Sequence, residues 1–91
     1  MLPTTTPEEL IIRVGRRISE VRRANGLTQA KFAELMGCSV QYVGLLERGK
    51  QNVTLGKLAE IAAILGTTFE SLVQKPRKRS LAIRKGRPKG A

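Results

Sequence analysis

Apolar residues recur along this chain at intervals of three and four, and no stretch before residue 75 alternates in the manner of a strand, so the pattern predicts helices alone. Thr6-Pro7-Glu8-Glu9 combines a capping box with proline at the first helical position. The helix it opens buries a stripe of Ile11, Val14, Ile18 and Val21, keeps Arg13, Arg16, Arg17, Glu20 and Arg23 largely outside that stripe, and ends at Asn25-Gly26. Thr28 and Ser39 are N-cap types, and Gly37 and Gly49 stand where helix C-termini take left-handed backbone. These four residues frame a second helix, from about Gln29 to Met36, and a third, from about Val40 to Arg48, with Leu27, Phe32, Leu35, Met36, Val43 and Leu46 as their apolar positions. Thr54 opens a fourth helix with a broad face of Leu55, Leu58, Ile61, Ala62 and Leu65, which Gly66 stops. Thr67 or Thr68 caps a short fifth helix carrying Phe69, Leu72 and Val73, and Lys75-Pro76 ends it.

The join Gly37-Cys38-Ser39 is too short for anything but a sharp turn between the second and third helices. Once the apolar positions face the core, Gln29, Lys31, Ser39, Gln41 and Lys50 are left to face a partner, and they are donors, not acids. The sequence therefore divides into an N-terminal arm of residues 1–6, an all-α domain of residues 7–74 and a tail of residues 75–91. The domain is about as short as a self-sufficient core can comfortably be.

Charge sharpens this division. Residues 1–74 hold nine basic and seven acidic side chains, a net of +2, whereas residues 75–91 hold eight basic and none acidic, a net of +8. The tail, with two prolines, two glycines and no amphipathic repeat, lacks the apolar area to order itself, and Leu81-Ala82-Ile83 is its one apolar island. A tail of that sign concentrates polyanions such as DNA, RNA or an anionic membrane surface. With no His, no Asp and a single Cys, the chain lacks the groups for Ser-His-Asp or Cys-His catalysis and for His-based metal sites, so the expectation is no enzyme, no metal and no cofactor. Cys38 has no intramolecular disulfide partner, the first ten residues do not resemble a signal peptide, and the longest apolar runs fall far short of the ~20 residues of a membrane span. A cytoplasmic, nucleoid-associated location without a membrane partner is expected.

Arg22, Gly26-Leu27-Thr28-Gln29, Phe32-Ala33, Gly37, Val43, Leu46-Glu47-Arg48-Gly49, Leu58, Ile61-Ala62 and Leu65-Gly66 occur in an order that resembles the XRE family, the helix-turn-helix proteins typified by phage lambda repressor and Cro. The likeness covers about residues 10–73 and leaves out the tail. It implies a compact five-helix lambda-repressor-like bundle whose third helix lies in the DNA major groove while the second crosses the backbone. On that resemblance Thr28 and Gln29 hold a phosphate at the start of the second helix, and Val40, Gln41, Gly44 and Leu45 take the base-reading positions. Ser39 caps the reading helix beside a phosphate, and Arg48, Lys50, Gln51 and Asn52 follow it toward the next phosphates. Arg22 and Glu47 match a pair that orients the reading helix. Tyr42 has two readings, a DNA contact or a cover over the join of the two helices.

Gln41 suits a bidentate contact to adenine and Val40 the methyl of thymine, which suggests an A·T-containing half-site. Val40 occupies a position where several phage repressors carry glutamine, so their paired-glutamine readout does not transfer. In the tail, Lys85-Gly86-Arg87-Pro88-Lys89 is similar to the core of an AT-hook, a minor-groove arm, with lysine where a full hook has its first arginine; a nonspecific electrostatic arm is the plainer reading. The resemblance further implies a transcriptional repressor or autoregulator that binds double-stranded DNA as a homodimer on a near-palindromic operator. Phe69, Leu72 and Val73, with parts of the fourth helix, are candidates for the dimer surface, for closing the core, or for both. Two other classes stay open here: an antitoxin-type protein that represses its operon and holds a toxin partner, and an architectural nucleic-acid binder acting through the tail.

Overall fold

The computed structural model describes residues 5–74, and five helices account for most of them: α1 Pro7–Ala24, α2 Gln29–Met36, α3 Val40–Glu47, α4 Leu55–Leu65 and α5 Phe69–Val73, with no strand among the described residues. Each helix starts on a hydroxyl cap. Thr6, Thr28, Ser39, Thr54 and Thr68 all adopt extended backbone and accept from the amide three residues on, which satisfies one of the orphan donors of each helix start. At Thr6 the box is complete, because the Glu9 carboxylate accepts the Thr6 amide at 3.0 Å. The fifth helix is capped by Thr68 and not Thr67.

The core lies where all five helices meet. Ile18 of α1, Phe32 of α2, Val43 and Leu46 of α3, Ile61 of α4 and Leu72 of α5 are its most deeply buried large side chains. Leu72 thus closes the core and is unavailable to a dimer surface, while Phe69 and Val73 are half-buried against it. Two predicted core positions fall outside. Leu35 is 50% exposed, because α2 turns Phe32, Ala33 and Met36 inward and Leu35 lies about 100° from Met36 around the helix. Leu55 is 73% exposed: it shares a face with Leu58 but, as the first residue of α4, projects one turn beyond the end of the core. Ile11 and Val21 are only half-buried at the ends of the α1 stripe.

Arg13 and Arg17, expected outside the stripe, are instead latches for α5. Arg17 donates from Nε to the Ser71 carbonyl and from Nη2 to the Ser71 hydroxyl, both at 2.8 Å, and Arg13 donates from Nη2 to the Val73 carbonyl at 2.9 Å. A five-residue helix leaves most of its carbonyls without intrahelical donors, and α1 supplies them. Asn25 does similar work at the other end, donating its side-chain amide to the carbonyls of Val21 and of Leu65.

Candidate nucleic-acid interface

The α2-turn-α3 unit is fixed from both sides of its join. Gly37 takes φ 70°, and the amides of Gly37 and Cys38 donate back to the last carbonyls of α2. Two residues later Ser39 starts α3, its hydroxyl accepting from Tyr42 at 3.0 Å. Phe32, Ala33 and Met36 on one helix and Val43 and Leu46 on the other are buried in the shared core. The angle between α2 and α3 is thereby set by packing.

The far end of α3 is held by α1. A Cβ on Gly15 would collide with the carbonyl oxygens of Leu46 and Glu47, so the last turn of α3 rests directly on the α1 backbone. Gly49, at φ 74°, turns the chain off α3 so close to Ile12 that a Cβ there would lie 2.6 Å from its side chain. Neither requirement is visible in hydrophobic periodicity.

Charge chemistry completes the anchorage. Arg22, 6% exposed, donates from Nε and Nη2 to the two carboxylate oxygens of Glu47 at 2.6 and 3.1 Å, and from Nη1 to the Leu27 carbonyl at 2.7 Å. Gln29 adds its own side-chain amide to Glu47 Oε1 at 3.0 Å. Glu47 therefore ties the end of α3 to α1 and to the start of α2 at once. Its negative charge, the only one on α3, is turned inward and away from the exposed face.

That exposed face gathers most of the residues singled out from the sequence. Gln29, Val40, Gln41, Gly44, Leu45 and Arg48 line one shallow depression. Val40 is 46% exposed, Gln41 is exposed and Leu45 half-buried. Thr28 and Ser39 sit exposed at the two helix starts, and Lys50, Gln51 and Asn52 follow α3. Tyr42 is half-buried and packs against the core. The tail residues Lys85, Gly86, Arg87, Pro88 and Lys89, the Leu81-Ala82-Ile83 island and most of the N-terminal arm lie outside the described residues. Among the described residues no cluster of His, Cys, Asp and Glu is placed to hold a metal ion, and no helix is long and apolar enough to cross a membrane.

The family model HTH_3, described as helix-turn-helix, matches residues 18–72. This chain is an XRE-type helix-turn-helix protein. It is 42% identical over 60 residues to an uncharacterized HTH-type transcriptional regulator, y4dJ, of Sinorhizobium fredii, a match covering 66% of this chain and 78% of that one. It is 35% identical over 60 residues to the immunity repressor protein of Bacillus phage phi105, covering 66% of this chain but only 42% of the repressor. The crystal structure of the restriction-modification controller protein C.AhdI from Aeromonas hydrophila superposes with a TM-score of 0.64 at 37% identity, covering 68% of this chain and 94% of that one. Within this helix-turn-helix unit, α2 and α3 occupy residues 29–47, and the residue sequence reasoning missed there is Gly15, whose absent side chain admits α3; elsewhere it missed the Arg13 and Arg17 latches that hold α5.

Proposed function

We propose that this chain is a DNA-binding transcriptional regulator, acting as a repressor or autoregulator, that reads the major groove with α3. The reading rests on one observation: α3 presents Val40, Gln41 and Leu45 outward while its one acid is turned inward onto Arg22 and Gln29. The face that meets a polyanion is thus free of α3's negative charge. The names of the related regulators and of the phage repressor support the same class.

In this reading the start of α2 docks on a phosphate. Its first amides lack intrahelical acceptors, the helix dipole places positive potential there, and Thr28 and Gln29 flank the spot. Ser39 and the stretch Lys50-Gln51-Asn52 contact the backbone on either side of α3. Val40 and Gln41 read a thymine methyl and an adenine edge. Two copies on a near-palindromic operator place their α3 helices in successive major grooves about one helical turn apart, with Phe69 and Val73 as the apolar residues beside which they meet. The domain of residues 7–74 does the reading, and the tail of residues 75–91 adds sequence-independent attraction.

Selection of bound sequences from a random double-stranded pool with the full chain tests this. An enriched inverted repeat with A·T pairs in each arm is the expected result. Uniform retention of the pool, with no enriched motif, overturns it and leaves an electrostatic binder.

A further inference from the structure

Arg48 follows the last residue of α3, a position from which the sequence suggests a phosphate contact. The structure puts its charge elsewhere. A Cβ built on Gly44 has as its three nearest neighbours Nη1, Cζ and Nη2 of Arg48, at 3.2, 3.9 and 4.0 Å. The side chain has therefore folded back one turn along α3, in the direction helical side chains lean, and its guanidinium lies over Gly44. Gly44 is accordingly buried although it stands on the outward flank of the helix.

This brings the guanidinium into the depression shared by Gln29, Val40, Gln41 and Leu45. Positions 40, 44 and 48 form a single stripe, and the level of Gly44 lies about 6 Å along the helix axis from Val40, or roughly two base-pair steps. No described residue is recorded as an ion-pair or hydrogen-bond partner for the Arg48 side chain, in contrast to Arg13, Arg17 and Arg22. On a face otherwise built from amides and aliphatic groups, a planar five-donor fork is the one group matched to the paired acceptors O6 and N7 of guanine.

We propose that Arg48 is a base-reading residue that selects a guanine in each half-site, and that Gly44 is the specificity-determining cradle that lets it do so. The inference rests on the operator-reading function proposed above and extends it, since the half-site then carries a G·C pair beside the A·T pairs read by Val40 and Gln41. A side chain at position 44 larger than a methyl group competes with the guanidinium for the same space, whereas a lone Cβ would press on it by only a few tenths of an ångström.

The test is the same pool selection run on the full chain, on Arg48→Lys and on Gly44→Leu, with helical content checked by circular dichroism and affinity followed against salt. Lysine keeps the charge but loses the planar fork, and leucine keeps Arg48 but fills its cradle. The wild-type motif is expected to hold a guanine preferred roughly 5- to 150-fold, the range of one bidentate base contact. Both variants should lose that preference while the A·T positions persist, and Arg48→Lys should keep the wild-type salt slope. A motif that survives Arg48→Lys unchanged, or a wild-type motif without guanine, overturns the assignment. If even wild type enriches nothing, the operator-reading function itself falls, a result distinct from losing guanine alone.

Discussion

The carboxylate of Glu47, at the end of α3, accepts the side-chain amide of Gln29, at the start of α2, at a distance of 3.0 Å. Through this bond the start of α2 and the end of α3 are tied together, and Arg22 locks the end of α3 to α1 with a two-bond fork. The two helices thus keep one orientation relative to each other.

Glu47→Ala leaves Arg22 buried without a counter-charge and frees Gln29. It should cost about 3–5 kcal/mol, the range for removing one partner of a buried pair, read as a lower midpoint in urea denaturation. A loss below about 1 kcal/mol would mean that water reaches Arg22 readily and that the pair is not what seats α3.

Two helical glycines give opposite forecasts for the same substitution. At Gly15 an alanine Cβ meets the backbone carbonyls of Leu46 and Glu47, which cannot swing aside, so Gly15→Ala should destabilise by ~2 kcal/mol or more despite the better helix propensity. At Gly56 a Cβ has no neighbour within 4 Å, and Gly56→Ala should stabilise by about 0.5 kcal/mol. Thermal melts of the two variants side by side check the contrast; equal shifts would refute it.

The caps and apolar spacing made the helices legible in the sequence because both are local: a hydroxyl bonds an amide three residues away, and a stripe needs only 3.6 residues per turn. The inward turn of Arg22 and Glu47 was legible only through resemblance, since 25 residues separate them. What the sequence hid was set by meetings between distant segments. Arg17 looks like a solvated arginine until Ser71 is found beside it, and Leu55 looks like core until the core proves to end a turn lower. Within the candidate site, Val40, Gln41 and Leu45 lie together as read, whereas the fold-back of Arg48 depends on a side-chain conformation that spacing does not encode.

Arg17→Met keeps the aliphatic stem of a side chain that is 14% exposed but removes the donors to the Ser71 carbonyl and hydroxyl. A charged hydrogen bond of this kind contributes about 1.5–3 kcal/mol, and the loss should be concentrated in α5. Hydrogen exchange should accelerate at the α5 amides well before those of α3. Ser71→Ala, which removes only the hydroxyl, should have a smaller effect; equal protection of α5 in wild type and Arg17→Met would show that the packing of Leu72 and the Arg13 bond to the Val73 carbonyl hold the helix without Arg17.

Removing the tail separates affinity from specificity. Residues 75–91 contribute eight positive charges and no negative ones, while every base-reading candidate on α3 lies within the described bundle. Each phosphate neutralised contributes about 0.9 to the slope of log affinity against log salt, so a chain ending at Gln74 should show a slope smaller by several units, with a ceiling near ~7. Its selected motif should match that of the full chain, because phosphate attraction carries no sequence information. If truncation erases the motif while the bundle stays folded, base readout resides in the tail, and the Lys85-Gly86-Arg87-Pro88-Lys89 segment takes over the role assigned to α3.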